Sequence, residues 1–196
     1  MKKTLIITLS LLISTYTFCQ TPSSFDREEV VEVKNTKAKL YANAQTWIAK
    51  TFGDYKAVIQ FEDKEQGRLI IKGLSRLDLD LYPDMKYVIT VDVKEGKYRF
   101  AITDIKVGFG TNNIATSYDS ADQIFERFKV VKNNLNKLTS LPTGDMSKKE
   151  LKKHEEEINS LRNGYERNVV KSLKVQQTLD DISNSLKTAM KKNDDF

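Results

Sequence analysis

The chain has 196 residues, 30% of them charged and 39% hydrophobic, with a formal net charge of +5. That balance excludes a membrane-embedded bundle and a fully disordered chain, and the low glycine and proline content excludes low-complexity and collagen-like classes. One cysteine and one histidine exclude a disulfide scaffold, a zinc finger and most histidine-dependent catalysis.

At the N-terminus, Lys2 and Lys3 precede a short apolar run from Leu5 to Ile13, the layout of a secretory signal over residues 1–19. A spanning helix needs about 20 apolar residues, and no second apolar run of that length exists. The chain is therefore expected to keep no integral membrane segment once the signal is removed. Thr17 and Cys19 occupy the small-residue positions of a cut before Gln20. Acylation of Cys19 usually asks for a small residue just ahead of it, and Phe18 stands there. Simple cleavage and a periplasmic or secreted protein are expected in preference to a lipoprotein. Cleavage removes the single thiol, and losing Lys2 and Lys3 lowers the net charge from +5 to +3.

Residues 20–28 read as a flexible polar leader, and residues 29–110 as an α+β domain. Val31 and Val33 alternate with Glu32 and Lys34 as a short strand. Leu40, Ala44, Trp47, Ile48 and Thr51 follow at helical spacing, capped by Asn35 or Thr36 and ended by Gly53. Four strands in a meander come next. Ala57, Ile59 and Phe61 alternate with polar residues, Asp63 to Gly67 makes a turn, and Arg68 to Gly73 returns. Tyr87, Ile89, Val91 and Val93 alternate up to the hairpin Lys94-Glu95-Gly96-Lys97, and Tyr98, Phe100 and Ile102 lead away from it. At Asp104-Ile105 the apolar phase slips by one, the mark of a bulge or strand end. Between the second and third of these strands, Leu77, Leu79 and Leu81 alternate with Asp78 and Asp80, as a short extra strand or a lip over the sheet edge.

Residues 119–192 keep a helical period. Ala121, Ile124, Phe128, Val131, Leu135 and Leu138 step by three and four, and the loop Thr139–Asp145 breaks the series. A second series runs through Leu151, His154, Ile158, Leu161, Tyr165, Asn168, Ser172, Val175, Leu179, Ile182, Leu186 and Ala189. This spacing predicts a long helical hairpin or coiled-coil tail whose two helices pair antiparallel. The sheet domain, with its own apolar faces, is expected to fold without this tail.

The stretches Lys86-Tyr87-Val88-Ile89-Thr90-Val91-Asp92-Val93-Lys94-Glu95-Gly96-Lys97-Tyr98-Arg99-Phe100 and Val58-Ile59-Gln60-Phe61-Glu62-Asp63 resemble a family of secreted bacterial domains of unknown function with a TATA-binding-protein-like (TBP-like) fold. The resemblance spans roughly residues 29–108 and implies half of a saddle, a strand-helix-meander antiparallel sheet. It brings no catalytic residues, and fold does not imply function.

The sheet face turned away from the helix should carry Gln60, Glu62, Arg68, Lys72, Thr90, Asp92, Arg99 and Thr103, with Phe61, Tyr87, Tyr98 and Phe100 in the core. Such a face has no aromatic wedge and mixed charge, so it does not read as a nucleic-acid saddle. Asp78, Asp80 and Asp84 fail as a calcium loop because Tyr82 and Pro83 stand where ligand and glycine are needed. His154 sits at a helix seam with no nucleophile or oxyanion loop in the sequence.

No catalytic, cofactor or metal residues are assigned. The reading is an exported, non-enzymatic binding or scaffolding module whose partner is a protein, with its oligomeric state left open. Its candidate interaction surface comprises Arg68, Lys72 and Arg99 on the sheet, Leu77, Leu79 and Leu81 beside it, and Val175, Leu179, Ile182 and Leu186 on the tail. A small-ligand pocket near Leu77–Leu81 is the alternative, and a hydrolase working with carboxylates alone has the least support.

Overall fold

A computed structural model describes residues 25–192 of the protein. The signal expected over 1–19 and the cut before Gln20 lie outside the described residues. The expected leader ends early, because Phe25 is buried and Arg27 opens the first strand.

That strand, β1 (Arg27–Glu32), leads into α1 (Lys37–Phe52). Thr36 caps α1 by accepting from the Lys39 N–H, and Gly53 ends it at φ 73°, where a side chain would be strained. Leu40, Ala44, Trp47 and Ile48 form its buried stripe. A short turn of helix, α2 (Tyr55–Val58), precedes the meander of β2 (Ile59–Asp63), β3 (Arg68–Leu79), β4 (Tyr82–Lys94) and β5 (Lys97–Thr111). A further strand, β6 (Ile114–Ser120), runs directly into α3 (Ala121–Thr139), and α4 (Lys148–Met190) closes the order.

The sheet is antiparallel, in the order β1-β5-β4-β3-β2. Both β1 and β6 lie along the same side of β5. β1 pairs with the half before Asp104, and β6 with the half after it. At the junction, Asp104 takes φ 50° and the β4–β5 register shifts between Lys86 and Val88, so the phase slip seen in the sequence is a bulge. The Leu77–Leu81 segment is the end of β3 and its turn, neither a separate strand nor a lip. Leu79 pairs with Tyr82, and Leu81 sits at φ 63° in the two-residue turn.

One face of the sheet carries the core. Leu69, Ile71, Met85, Ile89, Val91, Phe100 and Ile102 are buried under the helices. The ring of Tyr87 lies over Gly73, where a Cβ would come within 2.2 Å of it. The helices above them are α1 and the last third of α4. Val175, Leu179, Ile182, Leu186 and Met190 belong to the same cluster of buried residues as Trp47 and the strands. Trp47 donates its indole N–H to Ser185 at 3.0 Å, Arg27 pairs with Asp180 at 3.0 Å, and Lys187 pairs with Glu29. The carbonyls at the end of α4, which have no partner within the helix, accept from Asn35 (Met190 O, 3.1 Å) and Asn43 (Lys192 O, 2.9 Å).

The sheet and the tail thus share one core, contrary to the expectation of a sheet that folds alone. The rest of α4 turns back along α3 as expected. Ser147 and Glu150 form a reciprocal capping box at its start. Here Val131, Leu135, Leu138, Leu151, Ile158 and Leu161 are only half-buried, since two helices cannot enclose their own seam. α4 is continuous through Gly164, where a Cβ would meet nothing within 4 Å.

Two substitutions separate the regions. Leu179→Ala should cost about 2–5 kcal/mol, and Gly164→Ala should add up to about 1 kcal/mol. Urea unfolding curves of the purified protein check both. A chain ending near residue 116 should show no cooperative thermal transition.

Candidate binding surface

The opposite face of the sheet is not covered by a helix among the described residues. Strand pairing puts its side chains in rows. Arg68, Asp92, Arg99 and Val30 form one, Phe61, Ile70, Thr90, Ala101 and Glu28 the next, and Lys72, Val88 and Thr103 another. Lys94 and Lys97 stand opposite each other at the hairpin end.

Asp92 organises its row. Its Oδ1 accepts from Arg68 Nε at 2.6 Å, and its Oδ2 accepts from Arg99 Nε at 3.1 Å and Nη2 at 2.6 Å. Burial alone would raise its pKa, but the hydrogen bonds and charges of the two arginines outweigh it and hold the carboxyl below the usual range. The two guanidinium groups, about half exposed, are thereby fixed side by side. A groove of about 400 Å³ lies against them, with Gln66, Lys94, Lys97 and Val30 among its other walls.

The far end is held differently. Lys86 lies over the Tyr118 ring, 3.7 Å from its centroid, and Lys106 pairs with Asp104 at 2.9 Å. Burial and then the neighbouring Asp84 push the Tyr118 phenol up to about 12. Asp84 itself is buried, with its Oδ1 packed where a Cβ on Gly108 would sit.

The expected surface residues divide accordingly. Arg68, Lys72 and Arg99 lie on the open face, as expected. Val175, Leu179, Ile182 and Leu186 are between 0% and 7% exposed. Their apolar stripe is consumed by the chain's own core and offers no partner surface. Leu77 is likewise fully buried, Leu79 packs against the core and only Leu81, in the turn, is exposed. The Leu81 carbonyl accepts from the Gly110 N–H, so the chain's own backbone closes this segment where a pocket was expected.

On β2 the register shifts between Ile59 and Phe61. This bulge turns Phe61 out to 44% exposure and Glu62 to the helix side, where it accepts from the Tyr55 hydroxyl at 2.7 Å. The open face therefore does carry one aromatic. The sequence reading missed Lys94 and Lys97, which end and begin strands at the hairpin, and Gln66, which sits in a turn. Their signal was the like-charged pair flanking Glu95-Gly96.

On the helix side, Lys171 is buried at 4% exposure, with its ammonium 3.3 Å from the Tyr82 ring centroid. Burial lowers its pKa to about 8, opposed by Asp119 and assisted by Arg127. Its folded pKa lies below the unfolded value near 10.4, so the unfolded chain binds the extra proton between those values. Stability should rise with pH from about 8 to 10. Lys171→Met should remove that rise in thermal midpoint. For Asp92 the sign is the same, in the acid range: its contribution is present above the ordinary carboxyl pKa and is lost as pH falls through the lowered one. Asp92→Asn should flatten the acid limb of the stability curve.

Residues 28–107 match the family described as "Domain of unknown function (DUF4468) with TBP-like fold". The resemblance read over residues 29–108 is borne out by this match. Among solved structures, the chain is similar to a DUF4468 family protein from Bacteroides ovatus ATCC 8483. That likeness has 16% identity and a TM-score of 0.52, and covers 87% of this chain and 88% of that one. The shared fold therefore extends beyond residues 28–107 into the helical region. A TBP-like protein from Parabacteroides distasonis ATCC 8503 is 13% identical, with a TM-score of 0.45 over 83% of this chain and 92% of that one. The curated proteins contain no match.

Proposed function

We propose that the protein is an exported, non-catalytic binding module whose working surface is the open face of the sheet. The carrying observation is the Arg68–Asp92–Arg99 row. A partly buried carboxylate fixes two arginines on a face that no helix covers among the described residues, beside a groove of about 400 Å³. Stability alone gives little reason for such a row, since ion pairs at this exposure contribute about 0–1 kcal/mol. Apolar residues on the same face, Val30 at 61% exposure and Phe61 at 44%, give a partner something to cover.

Export rests on the charged and apolar pattern of residues 1–19. No helix among the described residues is long and apolar enough to cross a membrane. The non-enzymatic reading is supported by the place of His154, which is half-buried on the projecting helical hairpin rather than beside the groove. The net charge of +3 after signal removal gives no general attraction to nucleic acid.

Placement of single cysteines tests the surface, since the chain after Gln20 contains no thiol. A photo-crosslinker at Thr90→Cys, in the middle of the open face, should give a discrete adduct in the native cell envelope. The same probe at Thr51→Cys, exposed on α1, should give none. Adducts from Thr51 alone would place the working surface on the helix layer and contradict the reading.

A further inference from the structure

We propose that the hairpin end of the open face is an oxyanion site for phosphate or sulfate ester groups. The inference rests on the reading of this face as the working surface and adds the ligand class. It follows from a census of donors and acceptors around the groove. Arg68 uses Nε on Asp92, and neither terminal nitrogen of its guanidinium has a hydrogen bond or ion pair within the described residues. The Lys94 and Lys97 ammonium groups have no such partner either, and among the described residues the only hydrogen bond made by Gln66 to a side chain comes from its backbone N–H. Apart from the Gln66 amide oxygen, the unengaged groups of these residues are donors, and three of the four residues bearing them are cations.

The nearby acids are turned elsewhere. Both Asp92 oxygens are occupied by arginine. Asp63 accepts the Gln66 N–H at 2.8 Å, and Glu95 accepts the Lys37 N–H at 2.9 Å at the start of α1. Glu28 reaches Arg99 Nη1 at 3.5 Å, which engages the last nitrogen of Arg99 and leaves Arg68 as the free fork.

Lys94 and Lys97 are direct cross-strand neighbours, an arrangement that destabilises a sheet when nothing lies between the charges. The Lys86–Lys106 pair at the far end is the internal comparison. It has the same cross-strand placement, but one lysine lies on Tyr118 and the other on Asp104. Of these two lysine pairs, only the one at the hairpin end keeps its cations available among the described residues. A planar fork beside two ammonium groups suits a head with several oxygens. Exposed Val30 on the groove wall gives contact to whatever carries that head.

Isothermal titration of the purified protein with pyrophosphate and with dextran sulfate tests the site, with uncharged dextran as control. Saturable binding of at least one anionic probe is expected. Binding of pyrophosphate alone identifies a phosphate ester as the natural ligand, and binding of dextran sulfate alone identifies a sulfated polysaccharide. Arg68→Gln should weaken binding about tenfold or more, as should Lys94→Gln with Lys97→Gln. Arg68→Lys keeps the charge without the fork and should fall between. Lys86→Gln with Lys106→Gln removes the same charge from the far end and should change affinity by less than about twofold, because those cations are already engaged. Equal weakening by both double variants would reduce the effect to net charge and overturn the site, and so would no binding of either probe. If the anions fail while Thr90→Cys still gives its adduct, the ligand class is wrong and the open face stands as the working surface. Thermal midpoints of the variants separate lost binding from lost folding.

Discussion

The docking of the last third of α4 beside α1 is the contact on which the architecture depends. A half-saddle sheet with one short strand and one helix cannot cover its own apolar face. Leu179 and Leu186 complete that cover, and Trp47, Asn35, Asn43 and Arg27 fix the helix end by side-chain bonds. Once this face is closed, the alternation of the strands leaves every other residue on the opposite side. The location of the binding surface is therefore a consequence of the tail, although the tail contributes no residue to it.

Electrostatics then sort the open face. Several cations lie on it, and most are engaged by a carboxylate or an aromatic ring. Asp92 does the reverse of neutralising its row: it aligns two guanidinium groups and leaves one with its terminal donors outward. A carboxylate held charged by two arginines is a rigid support for a ligand contact, because both of its oxygens are already bonded. The mixed charge of the face, read from composition alone, concealed this division between engaged and unengaged groups.

Much of this was legible in the sequence. The Thr36 and Gly53 caps, the meander, the bulge at Asp104 and the loop between the two long helices each have a local signature in residue type or spacing. β6 has none, because Ile114–Ser120 is largely polar and alternates weakly. It becomes a strand by pairing with the free half of β5. The outward turn of Phe61 also escaped the reading, because a one-residue bulge inverts the phase and alternation alone cannot register it. Lys171 escaped for a different reason. A seven-residue step drifts by about 20° per heptad on a straight helix, so the buried face of α4 passes from the Asn168–Ser172 seam to Lys171 and Val175 where the sheet replaces α3 as its neighbour. The availability of Arg68, Lys94 and Lys97 depends on what the neighbouring acids bind, and no local pattern encodes that.

Native-state hydrogen exchange is the most direct test of the claim that α4 and the sheet are one unit. Amides of residues 179–190 should exchange with the same opening free energy as those of the central strands β4 and β5. Amides in the half-buried hairpin, around Leu135 and Leu151, should open at lower free energy. Exchange of residues 179–190 through a separate low-energy opening, with β4 and β5 still protected, would mean that the sheet stands without the tail and would contradict the account.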